Sequence, residues 1–273
     1  MAPSRDATTS PKAATPPYAL IGHGPVARAV AAALGPPKAV ICRPGRRAAA
    51  EADLGAPALT EAAALPEGLA CVVEAGGHAG LRAHGPAVLA RGTDLVAVSL
   101  GALADAALLS ELTAAAEAGG ARLDLATGAI GALDALAAAR TGGLTRVVYI
   151  GRKPPAGWAG SAAENKIDLG SLTAPAPHFE GTARDCALAY PKNANVAAAV
   201  ALAGLGFEAT EARLIADPTI AANIHRIEAE GAFGHLTFEI AGQGLPDNPK
   251  SSALTAMSLV HALRDRAEPV GFA

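Results

Sequence analysis

The chain has 273 residues, a net charge of −3 and 17% charged residues, which gives no electrostatic case for nucleic acid or an anionic membrane as partner. Hydrophobic residues make up 51% and aromatics 3%, so a core of Ala, Val, Leu and Ile is expected, in one large or two modest domains. The three cysteines, Cys42, Cys71 and Cys186, lie far apart with neither disulfide nor zinc spacing. They read as small buried hydrophobes in a reducing, cytoplasmic setting, with no metal implied.

Residues 1–16 are rich in Ser, Thr, Pro and Ala and lack the apolar region of a signal peptide, so they read as a disordered tail. No stretch is long and apolar enough to span a bilayer without Gly, Pro or charge interrupting it. The first apolar run, 17–21, is followed by a glycine turn and an Ala-rich helical stretch at 25–34 with the spacing G-x-G-x-x-A. That is a form of the dinucleotide fingerprint. Gly22 allows the tight turn, Gly24 keeps the backbone open to a pyrophosphate, and Ala27 lets the helix pack close to the strand. Pro25 suits a first helical position, and with Val26 it begins the helix whose free N–H groups would face the phosphates.

Further strand-like runs at 38–42, 69–75, 94–99 and 121–126 alternate with helical stretches at 79–90 and 103–118. The region just after 42 gives no clear pattern. This alternation predicts an α/β fold, a doubly wound parallel sheet of the Rossmann type. Its second strand ends in Cys42, Arg43, Pro44, Gly45, Arg46 and Arg47, with three arginines where an NAD site would carry a carboxylate. Guanidinium groups suit a 2′-phosphate, so NADP is favoured, with NAD accepted, and Arg43 is the closest to the strand end. The alternative is that these arginines only solvate a loop. Ala75 and Gly76, Ser99, and the 126–131 segment end later strands with small residues, leaving room at the crevice for a flat ring.

The second half changes character. Strand-like runs at 144–151, 210–217, 221–230 and 233–241 mix with helical stretches at 130–140, 181–189 and 192–204, predicting a second α+β domain with a mixed sheet. The last two strands are split by Gly231 and Gly234, as in a hairpin. Residues 251–266 form a final helix with Ser251 or Ser252 as N-cap. The expected domains are thus 17–126 for the dinucleotide, 127–250 for the mixed-sheet second domain, and 251–273 returning toward the nucleotide domain.

Seven histidines are candidates for acid–base work. His23 and His78 fall near the cofactor loops, while structural or surface roles suit His84 and His261. His225 stands out: it shares one face of a strand with Asn223 at period 2, as a proton-transferring and orienting pair would, or as a solvated face would. Asn193 and Asn195 precede a strongly apolar helix, and Lys250, Ser251 and Ser252 open another. Each group can hold a carboxylate or cap its helix.

With the glycine loop, the 98–105 and 127–136 segments, 151–155, the 190–206 block, "ADPTIAANIHRIEAEGAFG" at 216–234 and "LPDNPKSSALTAMS" at 245–258, the chain resembles the L-aspartate dehydrogenases over nearly its whole length after residue 17. The resemblance implies a homodimer with its site between the two domains. It places the catalytic histidine at His225 and nicotinamide contacts at Ala129 and near Asn195. It also implies oxidation of L-aspartate to iminosuccinate, and then oxaloacetate and ammonia, or the reverse, with His225 as the base that activates water or relays the amine proton. Asn193, Asn223, Lys250, Ser251 and Ser252 would hold the substrate. The chain departs from the family at Ala126-Thr127, at Ser251 and at Arg226, which follows the histidine and should point to the opposite sheet face. A homoserine-dehydrogenase-like NADP enzyme and a non-catalytic NADP-sensing module are the competing expectations.

Overall fold

The computed structural model describes residues 15–271 except Lys192, and of Pro249 and Lys250 the backbone alone. The expected N-terminal tail lies outside the described residues apart from Thr15 and Pro16, which are neither helix nor strand.

The first sheet has six strands, all parallel: β1 (Tyr18–Ile21), β2 (Val40–Ile41), β3 (Ala58–Leu59), β4 (Cys71–Glu74), β5 (Leu95–Ala97) and β6 (Leu123–Leu125), in the order β3-β2-β1-β4-β5-β6. Four helices connect them: α1 (Pro25–Leu34), α2 (Arg47–Leu54), α3 (Gly77–Ala90) and α4 (Ala106–Gly119). Tyr18 and Leu20 join one buried cluster while Ala19 and Ile21 join another, so β1 feeds apolar side chains to both faces of the sheet. That is why the strand reads as a continuous apolar run. Strand order reverses between β1 and β4, and the crevice at their carboxyl ends is where such sheets take their ligands.

The second half is built on a five-stranded mixed sheet. Its strands are β7 (Leu144–Lys153), β8 (Ala176–Thr182), β9 (Glu211–Ala216), β10 (Asn223–Gly231) and β11 (Gly234–Gly242), in the order β11-β10-β7-β9-β8. Only β7 and β9 run parallel; the hairpin β10–β11 turns at Ala232 and Phe233 between the two glycines. Helices α5 (Leu133–Gly142), α6 (Ala183–Ala189) and α7 (Asn195–Ala203) pack on it. In α7, Val196 through Ala201 are all buried, as an all-apolar helix requires. The short pair β12 (Gly244–Leu245) and β13 (Asn248–Ser252) leads into α8 (Ala253–Asp265). Leu259 and Leu263 of α8 enter the cluster that holds Ala27 and Val30 of α1, so the C-terminal helix returns to the first sheet. The other cluster runs from Ile21 and Leu95 through Leu100 and Leu103 to Val200, Tyr149 and Trp158, giving the two halves one continuous core.

Several elements differ from the sequence expectation. Helix α2 and strand β3 occupy the unclear region after 42, where a two-residue strand is too short to show periodicity. β8 carries Pro177 and His178 inside it and reads as loop from sequence, but it is an edge strand, where proline is tolerated. The last helix starts at Ala253 because β13 pairing with β12 holds the chain extended through Ser252. Ser252 occupies the cap position, yet its side chain makes no cap bond.

Candidate active site

At the end of β1, Gly22 has φ +92°, and a Cβ there would come within 2.6 Å of the Gly76 Cα, so the turn needs glycine. Gly24 is the N-cap residue of α1, and a Cβ on it would meet nothing within 4 Å, which leaves open space above the helix N-terminus. Pro25 takes a first-turn position, where its missing N–H costs little. Arg28 Nη1 braces the loop by donating to the His23 carbonyl at 3.2 Å, and Asp53 holds His23 Nδ1 at 3.1 Å. Ala27 is wholly buried and closes the helix against the strand.

A groove of about 720 Å³ runs over this loop past Gly22, Gly24, Pro25, Arg43, Arg46, Ala75, Gly76 and His84, within the size range of cofactor sites. No carboxylate lines it, and neither Arg43 nor Arg46 is ion-paired among the described residues. Arg47 is committed elsewhere: its Nε donates to the Ala58 carbonyl at 2.9 Å. The open helix end, the glycine turn and the two unengaged guanidinium groups fit a phosphorylated dinucleotide.

Glu74, the last residue of β4, is fully buried. It accepts bonds from the Gly76 N–H at 2.8 Å, the Ser99 N–H at 3.0 Å and the Ser99 hydroxyl at 2.9 Å, tying the ends of β4 and β5 together. Burial pushes its carboxyl up from the ordinary range, against the pull of those donors.

The groove continues through Ala75 into a smaller pocket of about 260 Å³ between the two sheets. Val26, Ala75, Ser99 and Ala129 line its first-sheet side, and Asn195 of α7 reaches it from the second half. Asn193, Asn223, Ser251 and Ser252 line it together with His225, so the polar residues named from three distant segments meet in one place. The side chain of Lys250 lies outside the described residues, and its backbone is in β13. Neither asparagine caps α7, whose N-cap is Ala194. Asn195 Oδ1 instead accepts from the Gly101 N–H at 2.9 Å and lies 3.1 Å from His78 Nε2, while Asn193 Oδ1 accepts from Lys153 Nζ at 2.5 Å. The Ser252 hydroxyl is buried without a partner among the described residues, which a bound ligand would relieve.

His225 is buried with Nδ1 2.8 Å from the Tyr149 hydroxyl. Burial, reinforced by the charge of Lys153, pushes its pKa down to about 4, so the imidazole is neutral near pH 7. Lys153, at the end of β7, was not among the residues expected at the site, although it lines this pocket. Its Nζ sits 5.0 Å from the Trp158 ring centroid, and burial lowers its pKa to about 8. Counting by twos along β7 puts Tyr149, Gly151 and Lys153 on one face, a signal present in the sequence once the strand is known. Arg226 faces away from His225, in ion pairs with Glu228 at 2.7 Å and Glu239 at 3.8 Å.

His178 is buried in an aromatic cluster with Trp158 and Tyr190, and His235 is exposed on β11. Cys42, Cys71 and Cys186 are buried free thiols. Among the described residues no group of three His, Cys, Asp or Glu side chains could hold a metal ion, and no helix is long and apolar enough to cross a membrane.

Comparison with known proteins gives concordant matches. Residues 134–266 match the family model for the C-terminal part of aspartate dehydrogenase, and residues 22–126 match that for the NAD-binding domain of homoserine dehydrogenase. The chain is 58% identical to an L-aspartate dehydrogenase of Ruegeria pomeroyi over 257 residues, 92% of this chain and 93% of that one. It is 54% identical to an L-aspartate dehydrogenase of Ralstonia nicotianae over 199 residues, 73% and 74% of the two chains. In fold it is similar to the crystal structure of aspartate dehydrogenase from Thermotoga maritima, with a TM-score of 0.75, 23% identity and coverage of 94% and 99%. A hyperthermophilic archaeal homoserine dehydrogenase is more distant, with a TM-score of 0.58 and 10% identity.

Proposed function

This chain belongs to the L-aspartate dehydrogenase family, and from that premise we propose that it interconverts L-aspartate with oxaloacetate and ammonia, with His225 as the catalytic imidazole of the site. The observation that carries this reading is the convergence of His225, Lys153, Asn193, Asn223, Ser251 and Ser252 on one small pocket that opens into the glycine groove through Ala75. L-aspartate carries two carboxylates, and the pocket offers one cationic side chain and several neutral donors, with no acidic residue among those lining it.

The glycine loop and the start of α1 would hold the dinucleotide's phosphates, and Arg43 would pair with a 2′-phosphate, favouring NADP over NAD. Ala129 and Asn195 would border the nicotinamide. When bound, that ring accepts or returns the hydride at the substrate's α-carbon. The protein's own work is binding and polarisation. Lys153, the asparagines and the serines would fix the carboxylates, Val98 and Val196 would limit water, and His225 would act on the substrate at the reacting centre.

The test is oxidation of NADPH, followed at 340 nm, with oxaloacetate, with and without ammonium, and NADH alongside. Ammonium-dependent oxidation is expected. Ammonium-independent reduction of a carbonyl substrate would instead point to a homoserine-dehydrogenase-like reaction, and cofactor binding without turnover would point to a sensor. His225→Ala should lower turnover by roughly two to four orders of magnitude with cofactor binding kept.

A further inference from the structure

We infer that Tyr149 is a positioning residue that fixes the tautomer of His225, so that the nitrogen on the pocket side, Nε2, carries the hydrogen and the neutral imidazole serves the substrate as a hydrogen-bond donor. The tautomer follows from this structure alone; its use at a substrate oxygen rests on the aspartate dehydrogenase reading.

Strands β7 and β10 are antiparallel neighbours in which His225 lies opposite Gly151, and Tyr149 lies opposite Ile227. Tyr149 and His225 are therefore diagonal on one face of the sheet. Gly151 leaves the gap that lets the phenol reach across: a Cβ at 151 would come 2.7 Å from the Tyr149 hydroxyl and 3.2 Å from the ring carbon bearing it. Through that gap the hydroxyl stands 2.8 Å from His225 Nδ1, with the two rings 20° from parallel.

Tyr149 is buried, and Nδ1 is its hydroxyl's one partner among the described residues. Two hydrogen placements are conceivable. If Nδ1 bore the hydrogen, it would donate to the phenol oxygen, and the phenol's own hydrogen would be stranded in the interior. If Nδ1 is bare, the phenol donates to it and every atom of the pair is satisfied. The cost of a stranded buried donor selects the second arrangement. Burial also pushes the Tyr149 pKa well above its ordinary value, so the phenol keeps its hydrogen to give.

The hydrogen of the neutral ring is then on Nε2, the edge away from Tyr149, in a residue that lines the substrate pocket. The free base that the family resemblance implies would need a bare Nε2. Releasing a proton from Nε2 would in turn require a buried imidazolate or phenolate. The acid–base role implied by the family resemblance is thus narrowed to hydrogen-bond donation: His225 polarises a substrate oxygen and keeps its hydrogen, as neutral donors do at other carbonyl-transforming sites. The proton balance of the reaction then rests on groups other than this imidazole.

The experiment is nitrogen-15 NMR of the full chain labelled at histidine, without ligand and with NADPH, with the His225 signals assigned by loss in His225→Asn. In the wild type at pH 7.5, Nε2 is expected protonated and Nδ1 bare. Tyr149→Phe should mix the tautomers and lower kcat at least about tenfold while leaving NADPH affinity unchanged. Gly151→Ala, which drives a Cβ into the phenol, should do the same. A wild-type ring protonated at Nδ1 overturns the inference, as does a Tyr149→Phe ring that keeps the wild-type tautomer. The wild-type spectrum decides alone should the variants fail to fold. Because it is read without turnover, a protein with the expected tautomer but no ammonium-dependent activity would overturn the functional reading and leave the tautomer standing.

Discussion

Asn195, on the first turn of α7, reaches across to the other half of the molecule and accepts the Gly101 N–H at 2.9 Å. The same oxygen lies 3.1 Å from His78 Nε2 at the start of α3, so one amide joins the second half to two loops at the carboxyl end of the first sheet. A Cβ on Gly101 would sit 3.0 Å from that oxygen and 2.8 Å from His78 Nε2, which is why the bridge needs glycine at 101.

Asn195→Ala leaves the Gly101 N–H without its acceptor, and about 1–3 kcal/mol of stability should be lost. NADPH affinity, followed by its fluorescence, should fall by about tenfold, equivalent to about 1.4 kcal/mol. Asn195→Asp keeps an acceptor in place and should recover most of the loss. Unchanged NADPH affinity in the alanine variant would remove Asn195 from the cofactor side of the site.

Arg43 lines the groove at the end of β2 with no ion-pair partner among the described residues. Arg43→Ala should therefore lower kcat/KM with NADPH by about ten- to a hundredfold, the worth of one charge-assisted bond, and barely affect NADH. Equal losses with both cofactors would place the guanidinium away from the 2′ position.

Lys153 is held down to about 8 by burial, so it is charged below that pH and neutral above it. If its charge holds a substrate carboxylate, KM for oxaloacetate should rise as pH climbs through about 8. Lys153→Arg, whose guanidinium stays charged throughout, should move that rise to higher pH, and Lys153→Met should show a high KM at every pH. A flat KM profile in the wild type would exclude the charge from substrate binding.

His178 and His225 are both held down to about 4, chiefly by burial, against an ordinary value near 6.5. Between those values the unfolded chain binds more protons than the folded one, so stability falls as pH drops from about 6.5 toward 4. Each residue contributes a slope of at most about 1.4 kcal/mol per pH unit. Urea midpoints measured from pH 7 to pH 5 should fall accordingly, and His178→Gln should flatten the curve. An unaltered slope in that variant would show that His178 does not carry this dependence.

The parts of the site legible in sequence are those whose chemistry is local. Gly22, Gly24 and Pro25 are neighbours along the chain, and their spacing alone states what the turn does. Asn223 and His225 share a face because a strand alternates by two, and the structure puts both in the pocket. Ser252 was legible as a helix start, though not as a buried hydroxyl with no cap bond.

Alternating buried strands and helices determined the Rossmann half from sequence alone, because a parallel strand covered on both faces must be apolar throughout and its crossover must be helical. Tertiary structure alone decided what surrounds His225. Tyr149 stands 76 residues away along the chain, and Asn195 and Gly101 stand 94 apart. These pairs meet only because β10 lies beside β7 in the second sheet and α7 packs on the 100–104 turn of the first half. Strand order and helix docking depend on the burial of the whole chain at once, and no local periodicity encodes them.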